Sequence, residues 1–159
     1  MTSPLRTLTS NPAIFAQAID ATDLYDVDIE KYARSGDDAV TIYERLIIDD
    51  IQRAAELLRP IYESTAAHDG YVSLEVSPHL ANDTAATIEE GKRLWSLVER
   101  PNLMIKVPAT DAGLPAIESL IASGINVNVT LLFSVSRYRD VVEAYWRGLE
   151  ARVADGYSI

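Results

Sequence analysis

Four short apolar stretches, each followed by a helical pattern, limit what this chain can fold into. They fall at about residues 5–10, 71–77, 103–108 and 125–133. Strands that alternate with helices argue for a parallel sheet covered by helices. The longest helix is expected over residues 37–64. Its apolar positions Val40, Tyr43, Ile47, Ile51, Ala54, Leu58 and Ile61 recur at threes and fours. Pro60 should kink or end it within a turn. A second helix follows the cap candidates Asn82-Asp83-Thr84 and runs to about Arg100. A third begins near Leu114-Pro115 and ends before Gly124, and a last one runs from Ser134 or Ser136 to about Ala154. An additional helical stretch separates the first two strands. The fold class is therefore α/β, with about four βα units and parallel strands.

A strand covered on both faces reads as a continuous apolar run, and these strands do not. Side chains alternate between faces, so parity sorts them. Val72, Leu74 and Val76 oppose Ser73 and Glu75. Leu103, Ile105 and Val107 oppose Met104 and Lys106. Ile125, Val127, Val129 and Leu131 oppose Asn126, Asn128 and Thr130. The first strand places Thr9 and Asn11 on one parity near its end. The apolar parity should meet the helices. The polar parity then gathers Thr9, Asn11, Glu75, Lys106, Asn128 and Thr130 toward the C-terminal ends of strands, where β/α folds place their sites. The plain alternative is a sheet with one wet face, which would be expected to carry more charge than one cation and one carboxylate.

Composition narrows the chemistry. The 159 residues carry 24 acidic and 14 basic side chains, a net charge of −10, so no footprint for DNA, RNA or an anionic membrane is expected. There is no Cys, which excludes thiolate chemistry, and no run approaches the roughly 18 apolar residues of a membrane span. Residues 1–6 lack an apolar leader-like run, and a cytoplasmic setting is expected. His68 and His79 have no ligand partner at metal spacing, so no metal is expected. The glycines are scattered, without a phosphate loop. The Asn-x-Thr patterns at Asn82 and Asn128 read as accidental. The pair Asp49-Asp50 is expected on a solvated or partner-facing helix edge.

Only three lysines occur, Lys31, Lys92 and Lys106, and only Lys106 interrupts an apolar run. Burial disfavours the charged form of an amine, and a neutral amine can attack a carbonyl to form an imine. Glu75, one strand away, is placed to move protons, directly or through a water held by Thr130. Asn11 and Asn128 offer donors and acceptors that suit sugar hydroxyls. A purely structural Lys106–Glu75 ion pair is the competing reading.

The motifs resemble a known family. Thr9-Ser10-Asn11-Pro12-Ala13-Ile14-Phe15 is similar to the second-strand motif of transaldolases, and Val72-Ser73-Leu74-Glu75-Val76-Ser77-Pro78 to their third. Leu103-Met104-Ile105-Lys106-Val107-Pro108-Ala109-Thr110 resembles their Schiff-base lysine motif. The stretch Gly124-Ile125-Asn126-Val127-Asn128-Val129-Thr130-Leu131-Leu132-Phe133-Ser134 resembles their fifth-strand motif. The likeness spans nearly the whole chain and looks most like the longer bacterial type, in some organisms fused to glucose-6-phosphate isomerase.

The resemblance implies a partial (β/α)8 TIM barrel, a single domain over residues 1–159 truncated at both ends, since a complete barrel needs roughly 250 residues. It implies a cofactor-free transferase of the non-oxidative pentose phosphate pathway. Such an enzyme moves a dihydroxyacetone unit from sedoheptulose 7-phosphate or fructose 6-phosphate to an aldose phosphate. By that likeness Lys106 forms the Schiff base, Glu75 transfers protons and Thr130 positions water, while Thr9, Asn11 and Asn128 bind substrate. The family's first-strand aspartate and its phosphate-binding Ser and Arg have no match here, so the isolated chain is expected to be inactive or nearly so. Open sheet edges are expected to drive self-association. Another class I aldolase, such as a fructose-6-phosphate aldolase, and a non-catalytic half-barrel module are the alternatives.

Overall fold

A computed structural model describes residues 5–159; Met1–Pro4, part of the stretch read as lacking a leader, lie outside the described residues. Ten regular elements follow the chain: β1 (Leu8–Thr9), α1 (Pro12–Ala21), α2 (Asp26–Arg34), α3 (Ala39–Ser64), β2 (Val72–Glu75), α4 (Thr84–Val98), β3 (Leu103–Pro108), α5 (Gly113–Ala122), β4 (Val127–Thr130) and α6 (Val135–Ala154), with a 3-10 turn over Pro78–Leu80. The four strands form one parallel sheet in chain order, β1-β2-β3-β4. This is the strand order and alternation of a partial (β/α)8 barrel. No described helix is long and apolar enough to cross a membrane.

The chain divides into two compact units, and the boundary falls inside β2. The first comprises the residues through Val72 together with Arg100–Asn102. In it, Leu8 N–H donates to Tyr71 O at 3.0 Å, and Val72 N–H to Asn102 O at 2.9 Å. Asp38 caps α3 by accepting from Thr41 N–H at 2.8 Å, and this bond holds the Asp38 carboxyl below its ordinary range. α3 buries Leu46, Ile51, Ala55 and Leu58. The expected stripe thus shifts: Ile51 and Leu58 stay in it, while Val40 is 76% exposed. Pro60 sits inside α3, which ends one turn later. Asn102, fully buried, donates through Nδ2 to both Ala55 O and Gly70 O at 2.9 Å.

The acidic pair on α3 is half-buried and hydrogen-bonded within the first unit. Tyr32 Oη donates to Asp49 and Tyr25 Oη to Asp50, both at 2.7 Å. These bonds, with burial, raise both phenols above their ordinary range.

The second unit holds Ser73–Glu99 and Leu103–Ile159. Asp83 caps α4 by accepting from Ala86 N–H, and Ser134 caps α6 by accepting from Arg137 N–H. α6 lies close to α5 because Gly148 has no side chain; a Cβ there would meet Glu118 O at 2.7 Å. Val127 and Asn128 of β4 pair in parallel with Ile105 and Lys106 of β3. β4 is shorter than the apolar run from 125 to 133 suggests, since Leu131 takes φ +61°. A left-handed residue cannot continue a strand.

Candidate active site

The alternation of β3 decides which side chains face the helices. Leu103, Ile105 and Val107 are fully buried, whereas Met104 and Lys106 are partly exposed. A Cβ on Gly91 of α4 would lie 3.6 Å from Ile105 Cγ2, so the apolar parity meets the helical layer. Lys106 projects from the opposite face.

On that face Lys106 Nζ donates to Glu75 Oε2 at 3.2 Å. The lysine side chain is 11% exposed and the glutamate 23%. Val76 N–H donates to Lys106 O at 3.2 Å and locks the two strands beside the pair. Asn128 is the Cα partner of Lys106 on β4, and Thr130 is that of Pro108. Ala109 N–H donates to Thr130 O at 2.8 Å, which fixes the end of β4 against the loop after β3. The structure therefore brings Glu75, Lys106 and Asn128 into one row, with Thr130 two residues beyond on the same parity.

Thr9 and Asn11 belong to the first unit. Thr9 ends β1 and is exposed. Asn11 caps α1, its Oδ1 accepting from Ile14 N–H at 2.9 Å. Part of its hydrogen-bonding capacity is thus spent on the backbone. His68 places Nδ1 2.9 Å from Thr65 O.

Two residues on the polar parity were not among the sequence candidates. Ser73 is 4% exposed, and its Oγ accepts from Asn128 Nδ2 at 3.0 Å. Asn126 Nδ2 donates to Leu103 O at 3.0 Å. Their signal was present, since each lies two residues before a candidate and so shares its face.

The face of this parallel sheet thus carries a lysine and a carboxylate paired at 3.2 Å, the lysine side chain only 11% exposed. Residues 1–158 match the family model described as Transaldolase/Fructose-6-phosphate aldolase, and the chain belongs to that family. It is 55% identical to "Transaldolase 2" of a Nostoc species over 96% of this chain and 40% of that protein. It is 51% identical to a transaldolase of Thiobacillus denitrificans over 94% of this chain and 42% of the relative. A transaldolase of Mycobacterium bovis is 45% identical over 96% of this chain and 41% of its own length. The chain thus spans about two fifths of the length of these relatives.

Proposed function

We propose that these residues perform the Schiff-base chemistry of a transaldolase, in the non-oxidative pentose phosphate pathway of the cytoplasm. The observation that carries the reading is the pairing of Lys106 with Glu75 at 3.2 Å, with the lysine side chain only 11% exposed. An ion pair alone fits the same distance; family membership and the names of the relatives favour the catalytic reading over the structural one.

In this reading Glu75 takes a proton from the Lys106 ammonium, and the neutral amine attacks C2 of the ketose phosphate. Glu75 returns the proton as the carbinolamine hydroxyl leaves as water, giving an iminium ion. A base removes the C4 hydroxyl proton and the C3–C4 bond breaks. Its electron pair flows into the iminium, releasing an aldose phosphate and leaving an enamine. The enamine carbon attacks the aldehyde carbon of the acceptor, whose oxygen takes a proton. Water then hydrolyses the new imine and frees Lys106. Thr130 positions the water that carries protons between these groups, while Thr9, Asn11 and Asn128 bind the sugar hydroxyls. Neither phosphate binding nor removal of the C4 proton is assigned to a residue of this chain, so we assign it imine formation rather than complete turnover.

The relatives named transaldolase favour transfer over simple aldol cleavage. Incubation of the chain with fructose 6-phosphate and borohydride tests the proposal. A covalent mass gain that disappears in Lys106→Met is expected; no gain, or one that survives the substitution, contradicts it.

A further inference from the structure

We propose that Ser73 is a positioning residue that sets the orientation of the Asn128 carboxamide on the sheet face beside Lys106; this deepens the Schiff-base reading and rests on it. Ser73 and Glu75 are alternate residues of β2 and share a face. Asn128 is the Cα partner of Lys106. The bond from Asn128 Nδ2 to Ser73 Oγ, 3.0 Å long, runs from β4 to β2 across β3, the strand that carries the lysine.

A carboxamide has two nearly equivalent flips, because rotation about its last torsion is broad and two-fold. A hydrogen bond to the group limits that rotation. Ser73, 4% exposed and held in the middle of the sheet, makes such a bond at 3.0 Å and so holds the carboxamide beside Lys106. A carboxamide held there offers both a donor and an acceptor to sugar hydroxyls. A fixed carboxamide recognises a hydroxyl without first losing its rotational freedom, which strengthens binding with no new contact. Ser73 need not touch the sugar.

The test titrates fructose 6-phosphate and measures borohydride-trapped adduct at Lys106. Ser73→Ala should raise the half-saturating concentration about five- to tenfold, the worth of one neutral hydrogen bond, and leave the saturated yield intact. Ser73→Thr, which keeps the hydroxyl, should restore a near wild-type titration. Ser73→Cys keeps the shape but weakens the acceptor, and should fall between. In an Asn128→Ala background, Ser73→Ala should add nothing further. An unchanged titration in both Ser73→Ala and Ser73→Cys overturns the positioning role. So does an effect of Ser73→Ala that is equally large without Asn128. Wild-type protein that traps no sugar at Lys106 overturns the Schiff-base reading and this inference together, whereas normal wild-type trapping with unaffected Ser73 variants overturns the inference alone.

Discussion

Lys106 and Glu75 meet at 3.2 Å from adjacent strands, with their backbones tied together by the bond from Val76 N–H to Lys106 O. The pair is thus fixed by the sheet and not by two flexible side chains finding one another at a surface. The carboxylate accepts a hydrogen bond from the lysine, and removing its charge is the most specific test of its part in the chemistry. Glu75→Gln keeps the shape and removes the charge. The rate of borohydride-trapped adduct formation at Lys106 should fall about a hundredfold, the low end for a general acid–base group. An unchanged rate would assign Glu75 a structural role only.

Asn102 is a joint inside the first unit. Its Nδ2 donates to Ala55 O on α3 and to Gly70 O before β2, while its own carbonyl accepts from Val72 N–H. Asn102→Ala removes both buried bonds and should cost about 1–2 kcal/mol. Urea unfolding followed by circular dichroism measures this, and a loss below about 0.5 kcal/mol would show that the joint is dispensable.

Tyr25 and Tyr32 donate to Asp50 and Asp49, and these bonds with burial raise both phenols above the ordinary value of 10.0. The folded state holds their protons more tightly than the unfolded state. Their contribution to stability is therefore complete below the unfolded phenol value and is lost as pH rises through the raised, folded one. Ultraviolet titration should show tyrosines ionising late in the wild type, and fewer of them doing so in Asp49→Asn with Asp50→Asn. Identical titrations would contradict the assignment.

One face of α6 packs inward through Val141, Ala144 and Gly148. Another exposes Tyr138 and Trp146, each at 57%, and Val153 at 55%. β4 is an edge strand of the sheet. We propose that these features drive self-association. Sedimentation should reveal concentration-dependent association, reduced by Tyr138→Glu with Trp146→Glu. A wild-type monomer at every concentration would contradict the proposal.

Parity along the strands was enough to separate Glu75, Lys106 and Asn128 from the apolar residues that face the helices, because a two-residue period is local. The caps at Asp83 and Ser134 were legible for the same reason. The Ser73–Asn128 bond was not, since parity names a face but not the diagonal partner 55 residues away. Nor were the tyrosine partners of Asp49 and Asp50, which depend on how α2 and its preceding loop return to α3. Leu131 misled because an apolar residue in an apolar run gives no sign of a left-handed backbone.

One amine, Lys106, is proposed to condense with a keto sugar. Peptide mapping after borohydride reduction with fructose 6-phosphate tests it most directly, because Lys31 and Lys92 are the internal controls. A reduced adduct is expected on the peptide that contains Lys106 and none on the other two lysines. An adduct on Lys31 or Lys92, or no adduct at all, would contradict it.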